Sequence, residues 1–145
     1  MEVCNMWQAT NLVHILGAIM MGFYGVAPFI ANRLKTSSVA TQEGILSSMS
    51  IANRIGQVML IVQFLSGGYL MTFGDYSVLW MVLVVVVFLL IGAFSGMMGS
   101  ALKKSLTAAI GNKKDEVSLD KVKLFSIMTF IAYIVIVVLM VYSNI

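Results

Sequence analysis

Four long apolar segments constrain the fold of this chain more than any other feature. They cover approximately residues 7–31, 51–73, 78–101 and 124–142. A helix needs about 20 apolar residues to cross a hydrocarbon core of about 30 Å. Because every backbone amide in lipid must find a partner within its own span, such continuous runs favour helices over strands. The sequence therefore predicts one all-α integral membrane domain over residues 1–145, an up-down bundle of four transmembrane helices.

The composition places the chain in the membrane class. Hydrophobic residues make up 60% and charged residues only 10% of the 145 residues, too few charges to cover a soluble domain of this size. A nucleic-acid partner is not expected, since nearly all of the charges lie in two loops. The single cysteine, Cys4, excludes an internal disulfide. The residues before Trp7 include Glu2 but no Lys or Arg, so we expect a retained first helix rather than a cleaved signal peptide.

The distribution of the charges predicts the orientation. Connections at about 32–50 and 102–123 are polar, whereas residues 74–77 form a tight turn. The side opposite that turn carries all nine basic residues, and the turn side carries only Glu2 and Asp75. By the positive-inside rule the basic loops are cytoplasmic. We therefore expect a multi-pass protein of the cell membrane with both termini outside. The basic residues are Arg33, Lys35, Arg54, Lys103, Lys104, Lys113, Lys114, Lys121 and Lys123.

The only histidine, His14, lies about two turns into the first span. An ionisable residue within a membrane is costly, so its position calls for a reason. Asn11, His14, Ala18 and Met21 follow one another at helical spacing and share a face. The small residue beneath the imidazole would leave room for a flat ligand. The alternative interpretation is that His14 only hydrogen-bonds a neighbouring helix.

The second span carries a polar stripe of its own. Asn53, Gln57, Gln63 and Gly67 recur near helical spacing, with Arg54 beside them. These amides are expected either to hold helices together or to line a cavity in which Arg54 receives a carboxylate. Small residues at four-residue steps on the third span predict a packing seam, and Pro28 predicts a bend in the first helix. The seam residues are Gly92, Gly96 and Ser100.

Twelve methionines are many for this length. Thioether sulfur ligates Cu(I) or haem iron. Adjacent helical residues such as Met20 and Met21 point about 100° apart and cannot chelate one ion together, so most of these side chains are expected to be apolar filler. The sequence shows no conventional catalytic constellation, which favours a protein without enzymatic activity.

Residues 12–18, followed by Met21 and Gly22, resemble the opening helix of small bacterial four-helix membrane proteins of the CopD and HemJ groups. The resemblance extends to residues 66–70 at the end of the second span and to Trp80 at the start of the third. It covers three helices, while the fourth matches only as an apolar span. Such proteins are associated with haem and porphyrin chemistry or with copper.

The resemblance implies that His14 is an axial ligand of haem b. Because the chain has one histidine, the second ligand would be a methionine, absent, or donated by another subunit. By depth in the membrane, the candidate ligands are Met71, Met81 and Met140. The predicted function is to hold, sense or sequester haem, with a role in electron transfer left open. The residues predicted to surround the haem are Asn11, Ala18, Met21, Gly67 and Arg54, besides His14.

Two other functions remain open at the level of sequence. The first is a ligand-free interaction subunit that assembles with a larger membrane complex or with copies of itself. The second is a transporter for a small solute or for copper. Four helices leave little room for both a pathway and a gate, so the transporter would require an oligomer.

Overall fold

A computed structural model describes residues 2–143 as five helices and, within that part of the chain, no strand; the side chains of Glu2 and Val3 lie outside the description. The first two helices together form one span, so four helical spans are long and apolar enough to cross a membrane. This confirms the prediction of an all-α bundle. The helices are α1 (Glu2–Met20), α2 (Phe23–Leu34), α3 (Val39–Met71), α4 (Val78–Ile110) and α5 (Glu116–Val141).

The order of packing separates two halves of the bundle. Helix α4 packs against both α3 and α5, and α2 closes the bundle by packing against α5 and α3. Helix α1 packs mainly against α3. We call the end that holds the 72–77 turn the acidic end, after Asp75, and the end that holds the 35–38 and 111–115 connections the basic end. The bundle is thus closed by α2 in its basic half and more open beside α1 in its acidic half.

The first span is interrupted at Met21 and Gly22, between α1 and α2. Gly22 N donates to Ile19 O at 2.9 Å, a bond from residue i to i−3 instead of i−4. A Cβ on Gly22 would stand 2.8 Å from that same carbonyl oxygen, so the tight turn requires glycine. Pro28 lies inside the continuous helix α2. The interruption therefore comes at a glycine, before the proline at which the sequence predicts a bend.

The helices extend beyond the predicted spans at the basic end. Helices α3 and α4 have 33 residues each, or about 50 Å at 1.5 Å per residue, against a hydrocarbon core of about 30 Å. The stretches expected to be loops at 32–50 and 102–123 are mostly helical, and only residues 35–38 and 111–115 connect the helices. The Ser38 and Asp115 side chains cap α3 and α5 by accepting from Thr41 N and Ser118 N. The polar residues in these stretches therefore indicate that the helices leave the membrane, not that they end.

The surface of the bundle is apolar, and its interior contains polar side chains beside a hydrophobic core. Ile19, Leu65 and Leu89 are 68%, 67% and 64% exposed, whereas Gln63 and Thr129 are buried. In water this distribution would be unfavourable, because so much exposed aliphatic surface would have to be hydrated. In lipid the exposed side chains contact acyl tails. The chain is accordingly a multi-pass membrane protein.

Buried hydrogen bonds fix the register between spans. Trp80 Nε1 on α4 donates to Leu139 O on α5 at 2.8 Å. Asn53 Nδ2 on α3 donates to Ser95 O on α4 at 3.1 Å. Such bonds from side chain to backbone hold helices together where lipid offers no hydrophobic driving force.

Candidate functional site

A cavity of about 570 Å³ lies in the acidic half of the bundle, between α1, α3, α4 and α5. It exists because α1 packs on α3 and leaves a gap toward α4 and α5. Its wall is almost entirely aliphatic and aromatic, with three polar side chains, His14, Gln63 and Tyr133, and no Asp, Glu, Lys or Arg. We call this space the His14 cavity. It extends to Met71, Met140 and Val141, at the ends of α3 and α5, so it reaches the acidic end of the bundle.

The imidazole of His14 is oriented by Ser66 on α3. His14 Nδ1 and Ser66 Oγ are 2.9 Å apart. The serine hydroxyl has one hydrogen, which it donates to Val62 O at 2.7 Å, so its oxygen accepts the bond from His14 Nδ1–H. The neutral ring then has its lone pair on Nε2, the nitrogen available to a ligand. Histidines that ligate metals show the same arrangement, in which one ring nitrogen donates to a fixed partner.

The backbone of His14 is held by Gln63. Gln63 Nε2 donates to His14 O at 2.5 Å, across the contact between α1 and α3. This approach depends on Gly17, where a Cβ would stand 2.8 Å from the same Gln63 nitrogen. Both the ring and the carbonyl of His14 are therefore fixed by residues of α3.

The opposite wall is tied to α1 through Tyr133. Because Gly22 N bonds to Ile19 O, the carbonyl of Ala18 lacks its usual helical donor. Tyr133 Oη on α5 donates to Ala18 O at 3.3 Å. The interruption of the first span thus creates the acceptor that connects α1 to α5 across the cavity.

The structure brings together six of the nine predicted site residues. His14, Ala18, Met21, Gly67, Met71 and Met140 all line the His14 cavity, whereas Asn11, Met81 and Arg54 do not. Met81 packs partly buried against the hydrophobic core. Arg54 lines a different cavity toward the basic end. It lies 13 residues before Gly67 on α3, or about 20 Å along the helix axis.

Sequence reasoning missed two residues that hold His14 against α3, namely Ser66 and Gly17. Ser66 lies three residues after Gln63 on the polar stripe of the second span, so its position on the same helical face was a usable signal. Gly17 offered a weaker signal, because a glycine next to other small residues is common in membrane helices.

Residues 2–143 contain no group of three or more His, Cys, Asp and Glu side chains that could hold a metal ion. Any metal in the His14 cavity would depend on His14 together with thioether ligands or with a macrocycle. Comparisons with protein-family models, with curated proteins and with solved structures found no match. The resemblance to the CopD and HemJ groups therefore stays a prediction.

Proposed function

We propose that this chain is a haem-binding membrane protein that holds haem b in the His14 cavity, with His14 as the axial ligand. The observation that carries the proposal is the imidazole of His14, whose Nδ1 contacts Ser66 Oγ at 2.9 Å, on the wall of an apolar cavity of about 570 Å³. The function would be to hold, sense or sequester haem in the bilayer. Bound iron would add redox chemistry and hence a route for electron transfer.

The size and chemistry of the cavity suit the macrocycle. Sites for small ligands and cofactors typically measure about 300–1,000 Å³ and are mostly apolar with a few polar groups. Here Phe88, Ile136 and Val137 supply apolar walls. Gly67 and Gly68 have no side chains, so they leave space along α3. The absence of charges from the lining agrees with a neutral imidazole facing a flat hydrophobic ring.

The carboxylates of haem require water or cations, and the lining contains no cation. Since the cavity reaches the ends of α3 and α5, the propionates can stay hydrated at the acidic end. The sequence also allows an arrangement in which the propionates reach Arg54, but this arrangement has less support. Arg54 lines a separate cavity about 20 Å away along α3.

The second axial position has two candidates within the chain. Met71 and Met140 line the same cavity as His14, and a thioether paired with histidine is a known haem ligand set. Met81 has less support, because it does not line this cavity. Substituting each methionine by leucine keeps the volume and removes the sulfur, so Met81→Leu serves as the control for Met71→Leu and Met140→Leu.

We further propose that the basic end faces the cytoplasm of a bacterial cell. The nine Lys and Arg residues all lie toward that end, and the acidic end carries Asp75 in its turn. Haem propionates would then face the outside.

The test is the absorption spectrum of protein expressed with haem supplied and purified through a tag that contains no histidine. We expect a Soret band in the wild type that shifts on reduction and disappears in His14→Ala. Thermal unfolding in detergent checks that the variant remains folded. A colourless wild type, or a band unchanged in His14→Ala, would exclude the proposal.

A second candidate ligand is Cu(I). The observation that favours it is the presence of three thioethers, those of Met21, Met71 and Met140, in the same cavity as His14; soft sulfur ligands and imidazole suit this ion. Metal analysis distinguishes the two proposals. A colourless protein with one copper per chain, lost in Met71→Leu, would favour copper over haem.

A further inference from the structure

A second cavity, of about 680 Å³, lies between α3 and α4 toward the basic end. It is separate from the His14 cavity and does not depend on what that cavity binds. Isoleucine side chains on its rim face outward, with Ile51 61% and Ile55 40% exposed. The cavity therefore opens toward the lipid.

The lining of this cavity is positively charged. It includes Arg54 on α3 and Lys103 on α4, and no acidic residue. Within residues 2–143, the ion pair that forms is Lys35 with Asp120, whose Nζ and Oδ1 atoms are 2.5 Å apart. That carboxylate raises the pKa of Lys35. Neither Arg54 nor Lys103 has such a partner in the described chain, so the cavity presents two uncompensated positive charges.

The wall of the cavity also holds buried polar atoms without partners in the described chain. Asn53 is 2% exposed, and its Nδ2 bonds to Ser95 O while its Oδ1 has no partner. Ser50 Oγ is buried and unpartnered as well. A Cβ on Gly99 would stand 2.9 Å from Asn53 Nδ2, so glycine leaves space for this amide. Buried groups of this kind normally have partners. The wall of the cavity thus contains one acceptor and one hydroxyl whose hydrogen-bonding capacity is unused among the described residues.

The depth of the cavity matches that of lipid phosphates. Arg54 lies 17 residues before Met71, the last residue of α3, or about 25 Å along the axis. If Met71 lies at one boundary of a core about 30 Å thick, Arg54 lies near the other. Lys103 lines the same space from α4.

We propose that this cavity binds a glycerol phosphate group, supplied by the headgroup of an anionic phospholipid. Arg54 and Lys103 hold the phosphate, where guanidinium forms paired hydrogen bonds with two oxygens. Phosphatidylcholine carries no net negative charge, so the two cations select phosphatidylglycerol over phosphatidylcholine.

The test is native mass spectrometry of the full chain in detergent, titrated with phosphatidylglycerol or phosphatidylcholine. We expect one phosphatidylglycerol retained per chain and at least tenfold weaker retention in Arg54→Gln and in Lys103→Gln. Arg54→Lys retains the charge and should recover part of the binding. The matched control is Lys113→Gln, at an exposed lysine of the same end outside this cavity, which should leave retention unchanged.

Glycerol phosphate as a competitor distinguishes the source of the ligand. No competition identifies the lipid as the ligand, and full competition shows that a soluble phosphate ester fills the same site. Equal retention of the two lipids, or retention unchanged in both glutamine variants, would overturn the proposal. Because the two glutamine variants lie on different helices, misfolding of one leaves the other as the test.

Discussion

Gly67 lies against the imidazole of His14. A Cβ built on Gly67 would stand 3.1 Å from His14 Cε1, closer than most side-chain contacts, and at an ordinary contact distance of 3.7 Å from Nδ1. The ring therefore rests on the bare backbone of α3, one residue after the serine that orients it. A methyl group at this position would require the imidazole to shift by a few tenths of an ångström.

The first prediction follows from this contact. Gly67→Ala should move the imidazole by a few tenths of an ångström and weaken haem binding about tenfold, or ~1.4 kcal/mol. Haem titration followed at the Soret band measures the effect. Gly92→Ala is the control, because a Cβ there meets no atom within 4 Å, Gly92 does not line the His14 cavity, and both variants gain the same helix propensity. Equal affinities in the two variants would contradict the role of Gly67.

The second prediction concerns the orientation of the ring. Ser66→Ala removes the acceptor of His14 Nδ1–H, so the tautomer and the ring angle are no longer fixed. Loss of such a partner typically costs 10- to 100-fold in metal affinity, and we expect about that loss of haem affinity with a shifted reduction potential. Ser105→Ala removes a buried hydroxyl that has no partner among the described residues and should leave both quantities unchanged. A spectrum and potential identical to wild type in Ser66→Ala would argue against ligation through Nε2.

The architecture could be predicted from the sequence because it depends on hydropathy alone. The four spans and the helical class follow from long apolar runs, and the structure contains them. The helix ends at the basic side could not be predicted in this way. Hydropathy marks where a helix leaves the membrane, not where the helix ends. Helix α5, for example, begins after its cap Asp115 and runs through polar residues before it becomes apolar.

The candidate site could be predicted only in part. The face shared by His14, Ala18 and Met21 is a local property of one helix, and the structure places all three on one cavity. Contacts between helices depend on rotation about each axis, which spacing within one helix does not fix. The packing seam predicted at Gly92 and Gly96 is an example. A Cβ at either glycine would meet no described atom within 4 Å, so these residues do not form a close contact with another helix.

The third prediction concerns stability. Trp80→Phe removes the bond from Nε1 to Leu139 O but keeps an aromatic ring stacked on Tyr76, whose centroid lies 4.7 Å away. We expect the free energy of unfolding to fall by about 1–2 kcal/mol, measured by thermal or denaturant unfolding in detergent. Trp7→Phe is the matched control, because Trp7 is 42% exposed and should change stability little. A larger loss of stability in Trp7→Phe than in Trp80→Phe would contradict the stabilising role of the bond from Trp80 to Leu139.

The fourth prediction is a dependence on pH at the start of α5. The Ser118 hydroxyl and backbone N–H both donate to Asp115, and these bonds lower the pKa of its carboxyl below the ordinary value of 3.8. A depressed pKa means that the charged cap stabilises the fold above the ordinary pKa and that this contribution is lost as the pH falls through the folded pKa. Asp115→Asn cannot titrate, so its difference in stability from wild type should shrink below about pH 4. A difference that stays constant between neutral and acid pH would contradict this role.

The fifth prediction concerns the orientation in the membrane. Cys4 is a free, exposed thiol near the start of α1, so a maleimide that cannot cross the membrane should label it in intact cells if the acidic end faces outward. The paired variant, Cys4→Ser with Lys113→Cys, moves the thiol to the 111–115 connection at the basic end. We expect it to be labelled only after permeabilisation, because basic connections are retained in the cytoplasm. The opposite pattern in both proteins would invert the bundle and direct the mouth of the His14 cavity to the cytoplasm, where haem would have to be delivered from inside the cell.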